Sequence, residues 1–250
     1  MRRLLNLILF NPVIWLSIGG VLVLFGIVGL YDVPGISARL QQLQQLPYLD
    51  DAPAGAVAMF EGRISPETPQ VYGEFVSYVQ EQYRSCGENS CWTETGRETP
   101  PLWLTIAGQT VQIANQDYRF ESTEHELKEA PPGWTQGALR SRGFRRNSMI
   151  FGIGEARDWA GKRQVLAEFI WAGTRASYRD HLEAYRWRSL WWGSGFLASG
   201  LLLSAIGFWQ ARRFLREVRA EAAAQAANLS NAAPQTIRRK KKQRRERTDV

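Results

Sequence analysis

Two cysteines, two histidines and a pair of glycines are the residues of this chain whose types and spacing could do chemistry. Cys86 and Cys91 enclose Gly87-Glu88-Asn89-Ser90, a tetrapeptide with the composition of a turn. In an oxidising compartment they would close a disulfide ring, which constrains the unfolded chain by roughly 2 kcal/mol in the loop-entropy picture. They could instead remain thiols, or form half of a zinc site. Zinc needs two more ligands at tight spacing, and the only histidines, His125 and His181, lie far away in unrelated contexts. His125 sits in Glu124-His125-Glu126, where a solvated loop is predicted. His181, in Arg179-Asp180-His181, reads as a surface residue of a helix. Gly152-Ile153-Gly154 lacks the third glycine and the following helix of a dinucleotide fingerprint. There is no Gly-x-Ser-x-Gly, Walker loop, His-Glu-x-x-His or usable Cys/His dyad. No catalytic residue, no cofactor and no metal ligand is therefore assigned. The scattered carboxylates leave a hydrolase with an unrecognised site as an alternative.

A second kind of chemistry is purely electrostatic. Arg238, Arg239, Lys240, Lys241 and Lys242, then Arg244, Arg245 and Arg247, form a dense cationic run. Residues 212–228 before it are Ala-rich and favour helix, and Asn231-Ala232-Ala233-Pro234 is predicted to break it, leaving the run disordered because like charges repel. The run suits anionic lipid at about 1 kcal/mol per residue near the surface, or serves only to orient the chain. Nucleic acid is disfavoured because no aromatic platform accompanies the charges.

What positions these groups is a pair of apolar stretches, residues 4–31 and 189–211, neither holding a single Asp, Glu, Lys or Arg. About 20 apolar residues at a helical rise cover the roughly 30 Å hydrocarbon core of a bilayer. Both are predicted to be transmembrane helices. Charge is distributed accordingly: residues 1–31 carry +2, residues 32–188 carry −3 and residues 189–250 carry +8. Short flanks rich in Lys and Arg stay cytoplasmic, whereas long domains cross largely regardless of charge. Arg2, Arg3, Arg212, Arg213, Arg216 and Arg219 thus predict cytoplasmic termini and an extracytoplasmic middle domain, in the plasma or inner membrane. The first span could also pass as a cleaved signal peptide. Its apolar run exceeds the usual core of about 7–15 residues, and Ile36-Ser37-Ala38 is a poor cleavage site, so an uncleaved anchor is predicted. Trp15, Tyr31, Trp187, Trp191, Trp192 and Trp209 lie near the predicted span ends, where amphipathic rings suit the headgroup zone. Gly19, Gly20, Gly26 and Gly29, with Gly193, Gly195, Gly200, Ser194, Ser199 and Ser204, are frequent residue types in lipid. They let helices approach closely, either span on span or one protomer on another within a homo-oligomer or membrane complex.

Between the spans, Ile36, Leu40, Leu43, Leu46 and Leu49 recur at helical spacing, predicting a short amphipathic helix. Strands are predicted at 57–64, 71–83, 102–106 and 110–113, 148–156 and 165–171, with the cysteine segment as the tip of a hairpin. Several short strands with turn signals indicate a small antiparallel sheet or partly closed barrel. From Thr174 the pattern turns helical, with Tyr178, Leu182, Tyr185 and Leu190 on one face and no Gly or Pro before Gly193, so this helix is expected to run into the second span.

The order of parts resembles the GIDE/MULAN-type membrane proteins, in which a "beside a membrane" (BAM) domain lies between two transmembrane helices. The resemblance rests on Glu61-Gly62-Arg63-Ile64-Ser65, on residues 72–84, on Pro101-Leu102-Trp103-Leu104 leading to Val111-Gln112-Ile113, and on Arg142-Gly143-Phe144 leading to Gly152-Ile153-Gly154-Glu155-Ala156. The eukaryotic ubiquitin ligases of that family add a RING, which needs eight Cys/His ligands. This chain has two Cys and two His, none after His181, so ligase activity does not carry over and the likeness is to RING-less prokaryotic forms. The resemblance implies a partner-binding domain.

The expected organisation is α+β: a cytoplasmic N-terminus (1–11), a first transmembrane helix (12–31), a juxtamembrane amphipathic helix and linker (32–55), a β-rich BAM-like domain (56–174), a helix leading into the membrane (175–188), a second transmembrane helix (189–211) and a cytoplasmic basic tail (212–250). The expected function is non-enzymatic binding of a protein or envelope partner close to the bilayer. A subunit of a larger membrane complex is the second option.

Overall fold

The computed structural model of the chain describes residues 12–86, 89–129 and 137–246. It is α+β and divides into two compact units. One holds residues 1–33 and 188–250, the other residues 34–187.

In the first unit, α1 (Pro12–Tyr31) is apolar along its whole length and begins on a proline, which is tolerated at the first helical position because no N–H is needed there. Its partner is the later part of α3 (Arg175–Glu246), which the structure draws as one unbroken helix. Both helices are long and apolar enough to cross a membrane. The helical backbone of α3 continues through Pro234 to Glu246, where the sequence predicts a break at residues 231–234 and disorder beyond. The approach is rich in Ala, and the run beyond it is rich in Arg, Lys and Gln, all strong helix formers. Their summed propensity opposes the cost of the one interior proline.

The second unit is built on a closed barrel. Its strands are β1 (Val57–Ile64), β4 (Leu102–Ile106), β5 (Gln109–Ile113), β9 (Met149–Trp159) and β10 (Lys162–Ala172). The order is β5-β4-β1-β9-β10, and β10 returns to pair with β5. Every pairing is antiparallel except this last, in which Gln164 and Val165 lie alongside Gln112 and Ile113 in parallel. The expectation of a partly closed antiparallel sheet is corrected on this point: one short parallel ladder shuts the cylinder. It is a Greek-key route of the kind found in small OB-type barrels. Two barrel hairpins turn on the same dipeptide, Ala107-Gly108 and Ala160-Gly161, with positive φ at both residues of each.

The barrel wall is buried on both faces where β1, β9 and β10 adjoin. Ala58, Phe60, Ile64, Ile150, Ala156, Val165 and Ile170 fill the interior. Met59, Phe151, Ile153 and Phe169 point the other way and are covered by Ile36, Leu40 and Leu43 of α2 (Val33–Gln45) and by Tyr178 and Leu182 of α3. Alternation along β10 changes phase at a bulge between Ala167 and Phe169, so that Ala167 faces inward and Phe169 outward. Gly152 has no room for a side chain, because a Cβ there would meet the Phe60 ring and the Phe169 carbonyl.

A second sheet, in the order β3 (Asn89–Glu98), β2 (Phe75–Cys86), β8 (Leu139–Arg145), β7 (His125–Glu129), is inserted into the barrel connections. The two-residue β6 (Arg119–Phe120) flanks β10 in the barrel sheet. Tyr118 joins the layers: its hydroxyl lies 2.8 Å from the Pro100 carbonyl and 3.0 Å from Ser77 Oγ, which itself donates to the Glu98 carbonyl.

Candidate membrane interface and domain sites

The two long helices turn their glycines toward each other. A Cβ on Gly26 would stand 2.7 Å from the Leu197 backbone nitrogen, one on Gly200 2.7 Å from the Gly19 carbonyl, and one on Gly193 2.7 Å from Leu30 Cγ. Gly19 abuts Ser204, and Gly29 abuts Gly193. The pairing of 19 with 204, 26 with 197 and 30 with 193 makes the helices antiparallel. Of the two uses that small residues suggest, the structure has packing of the helices on one another. Gly20 and Gly195 take no part, since nothing lies near either.

The opposite faces carry large apolar side chains into the open. Leu24, Phe25, Ile27 and Val28 on α1 and Leu201, Leu202 and Phe208 on α3 are all more than half exposed. The aromatic residues singled out by sequence join them: Tyr31, Trp187, Trp191, Trp192 and Trp209 are exposed and Trp15 is half-buried. Eighteen residues separate Trp191 from Trp209, about 27 Å of helix. α1 spans about 30 Å by the same rise. Arg238, Arg239, Lys240, Lys241, Lys242, Arg244 and Arg245 have helical backbone, and Arg247 lies outside the described residues.

The cysteines belong to strands. Cys86 stands opposite Asn89 and Cys91 opposite Arg84, diagonally placed across the β2–β3 ladder. Asn89 and Ser90, expected from sequence in a turn, belong instead to β3, because ladder pairing continues through Ser85↔Ser90 and Cys86↔Asn89; the rest of that turn lies outside the described residues. His125, predicted in a loop, starts β7, with Nε2 3.6 Å from Glu124 Oε2. His181 is exposed on α3, its ring 4.7 Å from that of Trp171. Among the described residues no three His, Cys, Asp or Glu side chains stand together as a metal site.

Two polar constellations appear that the sequence does not single out. In the first, Arg39 on α2 donates to Glu121 at 2.5 Å and to the Tyr178 hydroxyl at 3.1 Å, and that hydroxyl donates to the other Glu121 oxygen at 2.9 Å. Tyr178 is packed against Phe151, Phe169 and Trp171. Burial pushes its phenol up to about 12, with the neighbouring Glu121 carboxylate adding to the rise and Arg39 opposing it. The Arg39 guanidinium is raised chiefly by its hydrogen bond to Glu121. This triad clasps both covering helices to the loop after β6. In the second, Glu81 on β2 is gripped by Arg140 at 2.6 Å and Arg142 at 2.8 Å, and the Arg140 guanidinium lies 4.2 Å from the Trp92 ring centroid. Three strands are joined there by charge and ring stacking. Elsewhere, on the barrel sheet, Asn115, Asp117, Arg119 and Glu168 line an open cleft of about 500 Å³ in which Arg119 pairs with Glu168 at 2.9 Å.

These parts define a class: an α+β protein with a closed five-stranded barrel and two long apolar helices. Comparison with protein-family models, with curated proteins and with solved structures finds no match to this chain.

Proposed function

We propose that this is a non-enzymatic, double-pass membrane protein whose barrel domain lies outside the cytoplasm and binds a protein or envelope component close to the bilayer, as the GIDE/BAM resemblance implies. The observation that carries the reading is the inverted surface of the helical unit. Its glycines face inward and its Leu, Ile, Val and Phe side chains face outward. In water so large an apolar surface would drive association. In lipid it costs nothing, and small residues at the contact are what helix packing there requires. The cationic helix end then addresses the anionic cytoplasmic leaflet. The short spacing of Cys86 and Cys91, with no free cysteine among the described residues, supports a disulfide between them in an oxidising compartment.

The test is alkaline carbonate extraction followed by proteolysis of sealed inverted vesicles. The expected outcome is a pelleted protein whose residues 212–250 are cleaved while residues 50–170 are protected. Release into the supernatant, or digestion of the barrel, refutes the proposal. Crosslinking from residues 34–187 in cells then identifies the partner.

A further inference from the structure

Between α2, β1 and the first turns of α3 lies a cavity of about 490 Å³ that the sequence does not announce. Its apolar wall includes Leu40 and Leu43, both buried. Its polar wall holds two cations in different states. The Arg175 guanidinium is fixed, donating to the Leu43 carbonyl at 2.6 Å and to the Tyr48 hydroxyl at 3.1 Å, with the Tyr48 ring 5.4 Å away. The Arg179 guanidinium is loose. Its neighbouring carboxylate oxygens, on Asp180 and Glu183, stand 3.7 and 3.6 Å away, beyond hydrogen-bond length. Glu61 is the one carboxylate on the cavity wall, and it already accepts the Arg175 backbone N–H at 2.8 Å.

We propose that this cavity binds the phosphodiester headgroup of an anionic phospholipid. A fixed cation beside an adaptable one, above an apolar floor, matches a ligand that is anionic at one end and greasy at the other. Along the sequence the residues of the cavity lie close to both apolar helices. Arg179 precedes Trp187 by eight residues, about 12 Å of helix, and α2 begins two residues after α1 ends. The polar layer of a bilayer is roughly 5–8 Å deep on each side, so Arg179 stands only a few ångströms of helix beyond it. Inorganic phosphate shares the charge but has nothing to lay on Leu40 and Leu43. The inference deepens the proposed function, rests on its membrane placement, and names a lipid class for one cavity of the domain.

The experiment is native mass spectrometry of the full chain in a neutral detergent, titrated with phosphatidylglycerol, with phosphatidylcholine, and with phosphatidylglycerol against excess inorganic phosphate. A saturable single adduct with phosphatidylglycerol is expected. Its affinity falls about fivefold in Arg179→Gln, recovers in Arg179→Lys, and is unchanged in Arg212→Gln. Arg179 is exposed on a helix surface, so its variants should fold. Equal adducts with both lipids, full displacement by inorganic phosphate, or an Arg179→Gln chain that binds as tightly as the parent would overturn the inference. A chain that binds phosphatidylglycerol yet stays soluble without detergent would instead sink the membrane placement and leave the cavity standing.

Discussion

The two units of this protein are built inside out with respect to one another. In residues 34–187, Phe60, Phe144, Phe151 and Leu104 are buried and charge lies on the surface. In α1 and the later part of α3, Phe25, Leu24 and Phe208 are on the outside and glycine is on the inside. On the proposed membrane placement, the same residue types serve opposite ends because the driving force differs. In water, burial of apolar area is the dominant favourable term. In hydrocarbon it vanishes, and close van der Waals approach is what remains.

The comparison breaks most visibly at matched substitutions. Phe60→Ala empties a filled site in the barrel and should lower stability by about 3–5 kcal/mol in a denaturant titration. Val28→Ala on the open face of α1 should change it by less than about 0.5 kcal/mol in detergent. Equal losses would mean that the helical unit has a core of the ordinary kind. Leu24→Arg sharpens the contrast from the other side. On a water-facing surface it would be nearly silent, whereas near the middle of a span it should cost roughly 2.5–3.5 kcal/mol of insertion, read as lost membrane-integrated product. Gly26→Val drives a side chain into the Leu197 backbone and should weaken the helix pair by about 1–3 kcal/mol. Gly20→Val, with open space around it, should leave crosslinking between residues 26 and 197 intact.

The smallest expected effect is titration of the clasp that holds α2 and α3 to the barrel. The folded Tyr178 phenol sits at about 12, above its ordinary value near 10. The unfolded chain therefore releases its proton first, and the contribution of this group is complete below pH 10 and lost as pH rises from about 10 to 12. Buried Tyr118, raised mainly by desolvation, acts in the same direction. Melting temperature should decline across that range, and Tyr178→Phe should flatten part of the decline. An unchanged slope in Tyr178→Phe removes the clasp from the account.

Much of the barrel was legible because its strands alternate apolar and polar residues or run apolar throughout. β1, the β4–β5 hairpin, β9 and β10 were all expected within a few residues. β6, β7 and β8 were not. His125-Glu126-Leu127-Lys128-Glu129 and Leu139-Arg140-Ser141-Arg142 are charged in the manner of loops; β8 is a strand because β2, far away in sequence, supplies its partner, and β7 then pairs with the nearby β8. The parallel closure of β5 on β10 joins residues 52 apart and leaves no local mark. Long-range contact also hid the polar sites. Arg39 reads as one more charge on an amphipathic helix until Glu121 and Tyr178, 82 and 139 residues away, arrive beside it. The glycines of the two apolar helices were visible as a type, but which of them touch was decided by the antiparallel pairing.

The paired hairpin tips of the barrel hold an unused reserve. Ala107 and Ala160 sit at φ values of 45° and 51°, a left-handed backbone that an alanine adopts at a cost of roughly 1–2 kcal/mol. At Asn147, with φ 65°, the chain uses a residue that tolerates this conformation. Carrying that choice to positions 107 and 160, as Ala107→Asn and Ala160→Asn, would turn two strained corners into relaxed ones and yield a hardier protein for crystallisation, with every contact of the barrel wall left untouched.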